Sequence, residues 1–404
     1  MQEKKKVPIG GIVAVICFMV LVFVPQYSQF QLSPLAHLIM PAYDLDQTQF
    51  SMLFSAAMIM GIIFSLIAGI LCDKFGIKRM VGLAGILSAT ALIFRIFAPD
   101  FPTLFVCMVC AGFAVTFLNA NVAKIMGSWF TPDKVGIAVG VATSGATLAM
   151  AVAMATSAYF PSLNAIFVFT AVLAVIAAIV WWVFFKEGPL GMGGAGEDEA
   201  QVPTPPLSEC LKVAGKSRNV WLIGLILAAS MAATMCITTY MPQILASRGF
   251  DPTSAGSMTA IITYGNLAGA ILAPIMRQYL GGFRPICIVL TLISAVLTAV
   301  AWMLPEGPAM VIGFFVLGFG LNGFMAIILS LPVLLPEIGP VYAGTAGGLA
   351  ATVQLMGAVI IPTYILTPLC GDNFFLFYII AGLICVGATV CVIALPELFE
   401  KKAK

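Results

Sequence analysis

Along the chain, long apolar runs alternate with short polar breaks, and about a dozen such runs recur from end to end. A stretch such as FVFTAVLAVIAAIVWWVFF at 167–185 is apolar on every face, whereas a helix at the surface of a soluble protein carries only one apolar stripe. About 20 such residues cross a bilayer core about 30 Å thick. Only helices or closed barrels satisfy their backbone groups there. A barrel strand shows about ten residues of alternating polarity, and that pattern is absent. The runs predict spans near 9–39, 49–72, 79–98, 102–127, 135–159, 164–185, 219–246, 254–279, 285–304, 308–333, 341–368 and 373–395. The predicted fold class is an all-α membrane protein of twelve transmembrane helices, arranged as two pseudo-symmetric six-helix bundles.

The opening MQEKKKVPIGGIVAVICFMVLVFV has the charge and apolar run of a signal peptide, but the apolar part runs on and no small-residue cleavage site follows. It reads as a retained first span. With both termini placed in the cytoplasm, seventeen of the nineteen lysines and arginines fall inside, and only Arg95 and Arg248 fall outside. That asymmetry sets the expected orientation. The segment 186–218, with GPLGMGGAGEDEAQVPTPPL in its middle, is too rich in Gly, Pro and acid to build a core. The expected organisation is therefore an N-terminal bundle at 1–185, a cytoplasmic linker at 186–218 and a C-terminal bundle at 219–404.

Composition narrows the function classes. Of 404 residues, 61% are hydrophobic and 9% charged, against about a quarter charged in a soluble domain. There is one histidine, no phosphate-binding loop and no ligand cluster, so neither metal, cofactor, enzyme activity nor nucleic-acid binding is expected. The expected partners are the lipid bilayer and a small-molecule substrate. Cys107 and Cys110 sit one turn apart in an apolar helix and read as a packing pair. A transporter-like receptor would need an appended signalling domain, and the sequence ends at PELFEKKAK.

The halves repeat one design. An offset of 205 pairs LDQTQ (45–49) with FDPTS (250–254) and GILCDKFGIKR (69–79) with PIMRQYLGGFR (274–284); an offset of 208 pairs PDKVGIAVGVA (132–142) with PVYAGTAGGLA (340–350). Duplicated bundles that enclose a site and rock to expose it on either side are the logic of secondary transporters.

The run Gly69, Asp73, Gly76, Lys78 and Arg79 resembles the loop 2-3 signature of the major facilitator superfamily, and spacing, charge and topology are similar along the whole chain. The resemblance implies alternating access by a monomer, and a cytoplasmic latch in which Asp73 helps to hold the outward-open state. Span 11 starts near Pro340, where its positive dipole end attracts a carboxylate. Gln278 replaces Asp73 in the second copy, which makes the latch one-sided.

All seventeen acidic residues are expected in loops, tails or helix ends. Ionisable groups inside a span are costly and functional, so no carboxylate is in place to carry a coupling proton; uniport, exchange or coupling through the substrate's own charge is expected. Gln26, Gln29, Ser33 and His37 follow at spacings of three and four on one face of span 1, with Tyr27 and Phe30 beside them. Such a face lines a substrate path or bonds to a neighbouring helix. Asn119 on span 4, Thr239, Tyr240 and Gln243 on span 7, Tyr264 and Asn266 on span 8, Asn322 on span 10 and Gln354 on span 11 are the comparable candidates. His37 lies near the outer end and reads as solvated or capping. Lys124, just before Trp129 and Phe130, reads as an interfacial anchor or gate partner, with a ligand for a substrate anion as the alternative. Gly136, Gly140 and Gly145, like Gly344 and Gly348, read as close helix contacts.

Within the superfamily, NVAKIMGSWFTPDKVGIAVG (121–140) and Gln26-Tyr27-Ser28 look like segments of the oxalate/formate exchanger and monocarboxylate branch. Ala270 and Gln354 stand where that exchanger places basic residues. Ser65 and Ala270 stand where nitrate porters place arginines, and GVATSGATLAMAV lacks the proline of drug-proton antiporters. The expected function is secondary active or facilitative transport of a small organic anion such as a carboxylate, with export of a neutral metabolite or drug-like compound as the alternative.

Overall fold

The computed structural model describes residues 9–130, 132–189, 207–280, 282–332, 335–371 and 373–397. The side chains of Asp73 and Gln278 lie outside that description, so the part Asp73 is expected to play in the latch, and its counterpart in the second copy, do too. Among the described residues, twelve helices are long and apolar enough to cross a membrane. They are α1 (Ile9–Phe30), α2 (Gln47–Phe75), α3 (Ile77–Phe94), α4 (Phe101–Gly127), α5 (Pro132–Thr156) and α6 (Leu163–Phe184) in one half. The other half holds α7 (Arg218–Ser247), α8 (Pro252–Leu280), α9 (Arg284–Val300), α10 (Pro308–Ile328), α11 (Gly339–Ile360) and α12 (Phe374–Ala394).

Packing repeats with a shift of six helices. α1 lies on α5 as α7 lies on α11, α2 on α4 as α8 on α10, and α3 on α6 as α9 on α12. The two halves meet through α2 with α11 and α5 with α8, pairs that the same shift exchanges. The tightest seams are opened by glycine. A Cβ on Gly112 of α4 would stand 2.0 Å from the Ala57 carbonyl oxygen of α2, and one on Gly318 of α10 would stand 1.9 Å from that of Ile262 on α8. Only a hydrogen lets these backbones approach so closely.

The ends of the helices repeat as well. Asp46 caps α2 through the amide of Gln49 at 2.7 Å, and Asp251 caps α8 through that of Ser254 at 3.3 Å. Hydrogen bonds from the side chains of Ser254 and Thr253 hold the Asp251 carboxyl below its ordinary range. Glu187, just past α6, accepts from the Lys78 amide at 3.0 Å at the start of α3. Glu397, just past α12, accepts from the amides of Phe283 and Arg284 at 3.1 and 3.3 Å at the start of α9. Each half thus sets a carboxylate on the positive end of its third helix. Gly76, at φ 90°, makes the α2–α3 turn with a backbone that other residues rarely adopt.

Two expectations need correction. The first span does not run to residue 39: α1 stops at Phe30, residues 31–35 form turns, and a short helix follows at Ala36–Ala42. Pro34 offers no N–H to the Phe30 carbonyl, so the ladder cannot continue through it. The predicted linker is partly helical, with Leu207–Lys216 packed beside α11. Its Ala214 is buried, and the Gly215 carbonyl accepts from Trp221 Nε1 at 2.9 Å.

Candidate functional site: the interface between the halves

An even number of spans puts the start of α1 and the end of α12 at one face of the bundle, here the terminal end; the opposite face is the distal end. Among the described residues, the hydrogen bonds that join the halves gather toward the distal end. Ser33, in the turns after α1, donates to the Thr239 carbonyl of α7 at 2.7 Å. Ser51 and Ser55, one turn apart on α2, stand 2.9 and 3.2 Å from Thr363 Oγ1. Gln47 Nε2 donates to Gln243 Oε1 at 3.4 Å, and Tyr240 OH reaches the Gln47 carbonyl at 3.3 Å. Gly256 of α8 packs on the Met154 carbonyl of α5. These contacts close the distal end of the interface. Beyond them lies a recess of about 300 Å³ whose walls include Ser33, His37, Met40 and Gln243.

The predicted stripe on α1 divides between two tasks. Gln29 is buried and donates to the Phe54 carbonyl of α2 at 2.9 Å, and Phe30 meets the Phe54 ring edge-on at 5.5 Å. Tyr27 turns into its own half, with its hydroxyl 2.9 Å from Thr156 Oγ1 and its ring stacked on Phe23. Gln26 is half-buried, and its Oε1 is enclosed without a hydrogen-bond partner. His37 is exposed, its Nδ1 3.1 Å from the Pro34 carbonyl oxygen.

On the other half, Tyr240 is buried, 2.8 Å from Thr367 Oγ1 and edge-on to Phe377 at 4.9 Å. Thr239 contributes its carbonyl to the Ser33 contact. Asn322 Nδ2 donates to the Asn266 carbonyl at 3.0 Å, which ties α10 to α8, while Asn266 Oδ1 is buried and unmatched. Gln354 lies half-buried with its Nε2 3.2 Å from Met325 Sδ. Tyr264 is half-exposed and Asn119 exposed. Among the described residues, buried side-chain atoms without a hydrogen-bond partner stand on the interface helices at Gln26, Gln47, Gln243, Thr263 and Asn266, and elsewhere in the bundles at Arg95, Asn121, Trp182 and Thr298. Leaving such an atom without a partner costs about 1–3 kcal/mol, so each calls for water or solute.

At the terminal end, Arg79 is exposed and Lys78 and Lys124 are half-buried. A Cβ on Gly69 would meet nothing within 4 Å. Of the span-5 and span-11 glycines, Gly145 packs on Met19, whereas a Cβ on Gly140 or Gly348 would meet nothing within 4 Å; the surroundings of Gly136 and Gly344 lie outside the description. The open side of Gly140 and Gly348 is what a lone spacing pattern cannot reveal.

Sequence reading missed several members of this interface. Ser51 with Ser55 and Thr363 with Thr367 each share one helix face at a spacing of four, which was a usable signal. Arg95 was counted as an outer charge, yet it closes α3 with no exposed surface, the sole charged side chain so buried among the described residues. No group of three or more metal-ligating side chains occurs among the described residues.

Two bundles of six membrane helices related by a six-helix shift, closed against each other at one end and carrying unmatched polar atoms between them, define a membrane transport protein rather than an enzyme. Residues 8–362 match the Major Facilitator Superfamily, and the chain belongs to it. It is similar to the hexuronate transporter of Bacillus subtilis (strain 168), 29% identical over 198 residues that make up 47% of this chain and 44% of that protein. The match thus spans less than half of that relative's length. The chain is also similar to the 3-(3-hydroxy-phenyl)propionate transporter of Escherichia coli (strain K12), 24% identical over 325 residues, 79% of this chain and 77% of that protein. Among solved structures, a bacterial homolog of the human lysosomal transporter Spinster, inward-facing and unoccupied, matches with a TM-score of 0.75 at 12% identity over 96% of this chain and 95% of that one. The nucleoside transporter NupG matches at a TM-score of 0.75 and 12% identity, over 96% and 99% of the two chains. At such identity these two likenesses establish the fold.

Proposed function

We propose that this chain carries a small organic acid across the cell inner membrane by alternating access, both termini lying in the cytoplasm. The observation that carries the mechanism is the hydrogen-bonded closure at the distal end together with the unmatched Gln26 and Asn266 on either side of the interface. With seventeen of the nineteen basic residues expected on the side of the termini, the distal end is the outer one in this reading, and the closure there makes the conformation inward-facing.

The choice of cargo is supported by the relatives, whose names specify a hexuronate and a hydroxyphenylpropionate, both organic acids. The resemblance to the oxalate/formate exchanger and monocarboxylate branch points the same way. Exchange, or coupling through the acid's own charge, fits a path without a described membrane-embedded carboxylate. In this reading the latch of Gly69, Asp73, Gly76, Lys78 and Arg79 helps to hold the outward-open state, and Lys124 serves as gate partner at the terminal end. Asp73→Ala then keeps expression and cuts uptake strongly, while Lys124→Glu with normal transport removes Lys124 from the gate.

The neutrality of Asn119, Tyr264, Asn322 and Gln354 favours a second reading, a neutral metabolite. Counterflow in proteoliposomes separates the two. Preloading with glucuronate or 3-(3-hydroxyphenyl)propionate drives saturable accumulation of the labelled acid under the first reading. Accumulation of an uncharged sugar, with neither acid moving, selects the second.

A further inference from the structure

A cation enclosed within a membrane protein is costly unless its donors are met, and its presence marks a purpose. Arg95 has no exposed surface. It opens a 3₁₀ turn, Arg95–Phe97, that ends α3 at the distal end. Its Nη2 donates to Thr170 Oγ1 of α6 at 2.6 Å, and its guanidinium stacks over the Phe167 ring with 4.2 Å to the centroid. Its Nη1 donates to the Ser28 carbonyl and to Met108 Sδ, each at 3.4 Å. With the Gln31 amide oxygen turned toward the guanidinium, that oxygen accepts from Nη2 at 3.0 Å and from Nη1 at 3.1 Å, while Nε is the one guanidinium nitrogen without a hydrogen-bond partner among the described residues. All of these partners are neutral.

The position coincides with the break in α1. In an unbroken helix the Ser28 carbonyl would accept from the amide of Leu32. Here Leu32 donates to the Gln29 carbonyl at 3.2 Å instead, and Arg95 takes the carbonyl that is released. Gln31, the first residue past the helix, is held by the same guanidinium. One side chain therefore fixes both sides of the break. Two residues beyond Gln31, Ser33 crosses to the other half and meets the Thr239 carbonyl at 2.7 Å. Tying α3 to α6 would require only Thr170 and Phe167; the bonds to Ser28 and Gln31 are directed at the segment that carries the contact between the halves.

We propose that Arg95 is the positioning residue of the distal gate: by capping the broken end of α1 it sets the turn that places Ser33 against Thr239. This rests on the alternating-access reading above and is independent of which solute is carried. A planar fork is what the task needs, since one group must reach a carbonyl, an amide oxygen and a hydroxyl on two helices at once.

Hydrogen exchange followed by mass spectrometry on the full chain in lipid nanodiscs tests it without substrate. Arg95→Met raises the exchange rate of residues 31–36 and, across the interface, of 239–245 by about tenfold, the scale of one lost charged hydrogen bond. Arg95→Lys, whose ammonium gathers its donors on one nitrogen and cannot span the Ser28 carbonyl, Gln31 and Thr170 as the fork does, gives an intermediate rate. Should Arg95→Met fail to accumulate, Gln31→Leu removes one acceptor alone and raises exchange in the same two segments by less. Unchanged exchange at 239–245, or a rise confined to α3, α4 and α6, assigns Arg95 to bundle packing and overturns the proposal. Because exchange is read without solute, a negative counterflow result would remove the organic-acid reading and leave this one standing.

Discussion

Thr363 Oγ1 stands 2.9 Å from Ser51 Oγ, and through it α11 of one half is joined to α2 of the other. Thr363 lies in a π-helical turn, Ile361–Leu366, that continues α11. Pro362 has no N–H to give, and its carbonyl accepts from the Thr367 amide five residues on and from Thr367 Oγ1 at 2.7 Å. Such π turns are rare and frequent at functional sites. This one presents Thr363 to α2 and Thr367 to Tyr240 of α7.

Thr363→Val keeps shape and removes the two contacts with the Ser51 and Ser55 hydroxyls, along with the longer 3.4 Å approach to the Ser51 carbonyl. Interhelical hydrogen bonds in membranes average about 0.6 kcal/mol, so the two together bias the gate by about 1 kcal/mol, roughly a fivefold change in a two-state population. Spin labels at the distal ends of α2 and α11 will show a larger fraction of long distances than in the parent protein.

Tyr240→Phe loses the bonds to Thr367 and to the Gln47 carbonyl while keeping the edge-on contact with Phe377. Thermal unfolding in detergent should register a loss of about 1 kcal/mol. Tyr240→Ala, which also empties a buried site, should cost about 3–5 kcal/mol.

Gly112→Val drives a side chain into the Ala57 carbonyl, where no flexible group can yield. We expect the protein not to accumulate in the membrane, since overpacking a close seam costs about 1–3 kcal/mol or more. Gly140→Ala, at a position facing open space, leaves expression and melting temperature unchanged.

Glu397→Gln removes a charge from the start of α9 and keeps one accepting oxygen. The expected loss is about 0.3–1 kcal/mol at low salt, and it shrinks as salt screens the exposed end. Glu187→Gln should behave alike at α3. Melting curves at two ionic strengths are sufficient to tell.

Much of the fold was legible because a span such as 167–185 cannot be anything but a membrane helix, and the α2–α3 turn at Gly76 lay within the run that resembles the loop 2-3 signature. The end of α1 was misread: hydropathy continues through Leu32 and Leu35, whereas backbone geometry stops at Pro34. Arg95 was hidden by position, since a charge just past an apolar run looks like a loop residue until the tertiary fold covers it. Ser51, Ser55 and Thr363 were hidden for another reason. Hydroxyls in helices bond to their own preceding turn, as Ser55 does to the Ser51 carbonyl at 2.9 Å, and sequence alone does not say which also reach a neighbour.

The most direct test of alternating access through this interface is a reversible cross-link. Ser51→Cys with Thr363→Cys places two thiols where hydroxyls now touch, and Ser51→Cys alone controls for the native cysteines. In proteoliposomes, oxidation of the double variant should arrest counterflow of the labelled acid and reduction should restore it. Cross-linked protein that transports at the parent rate would contradict the account.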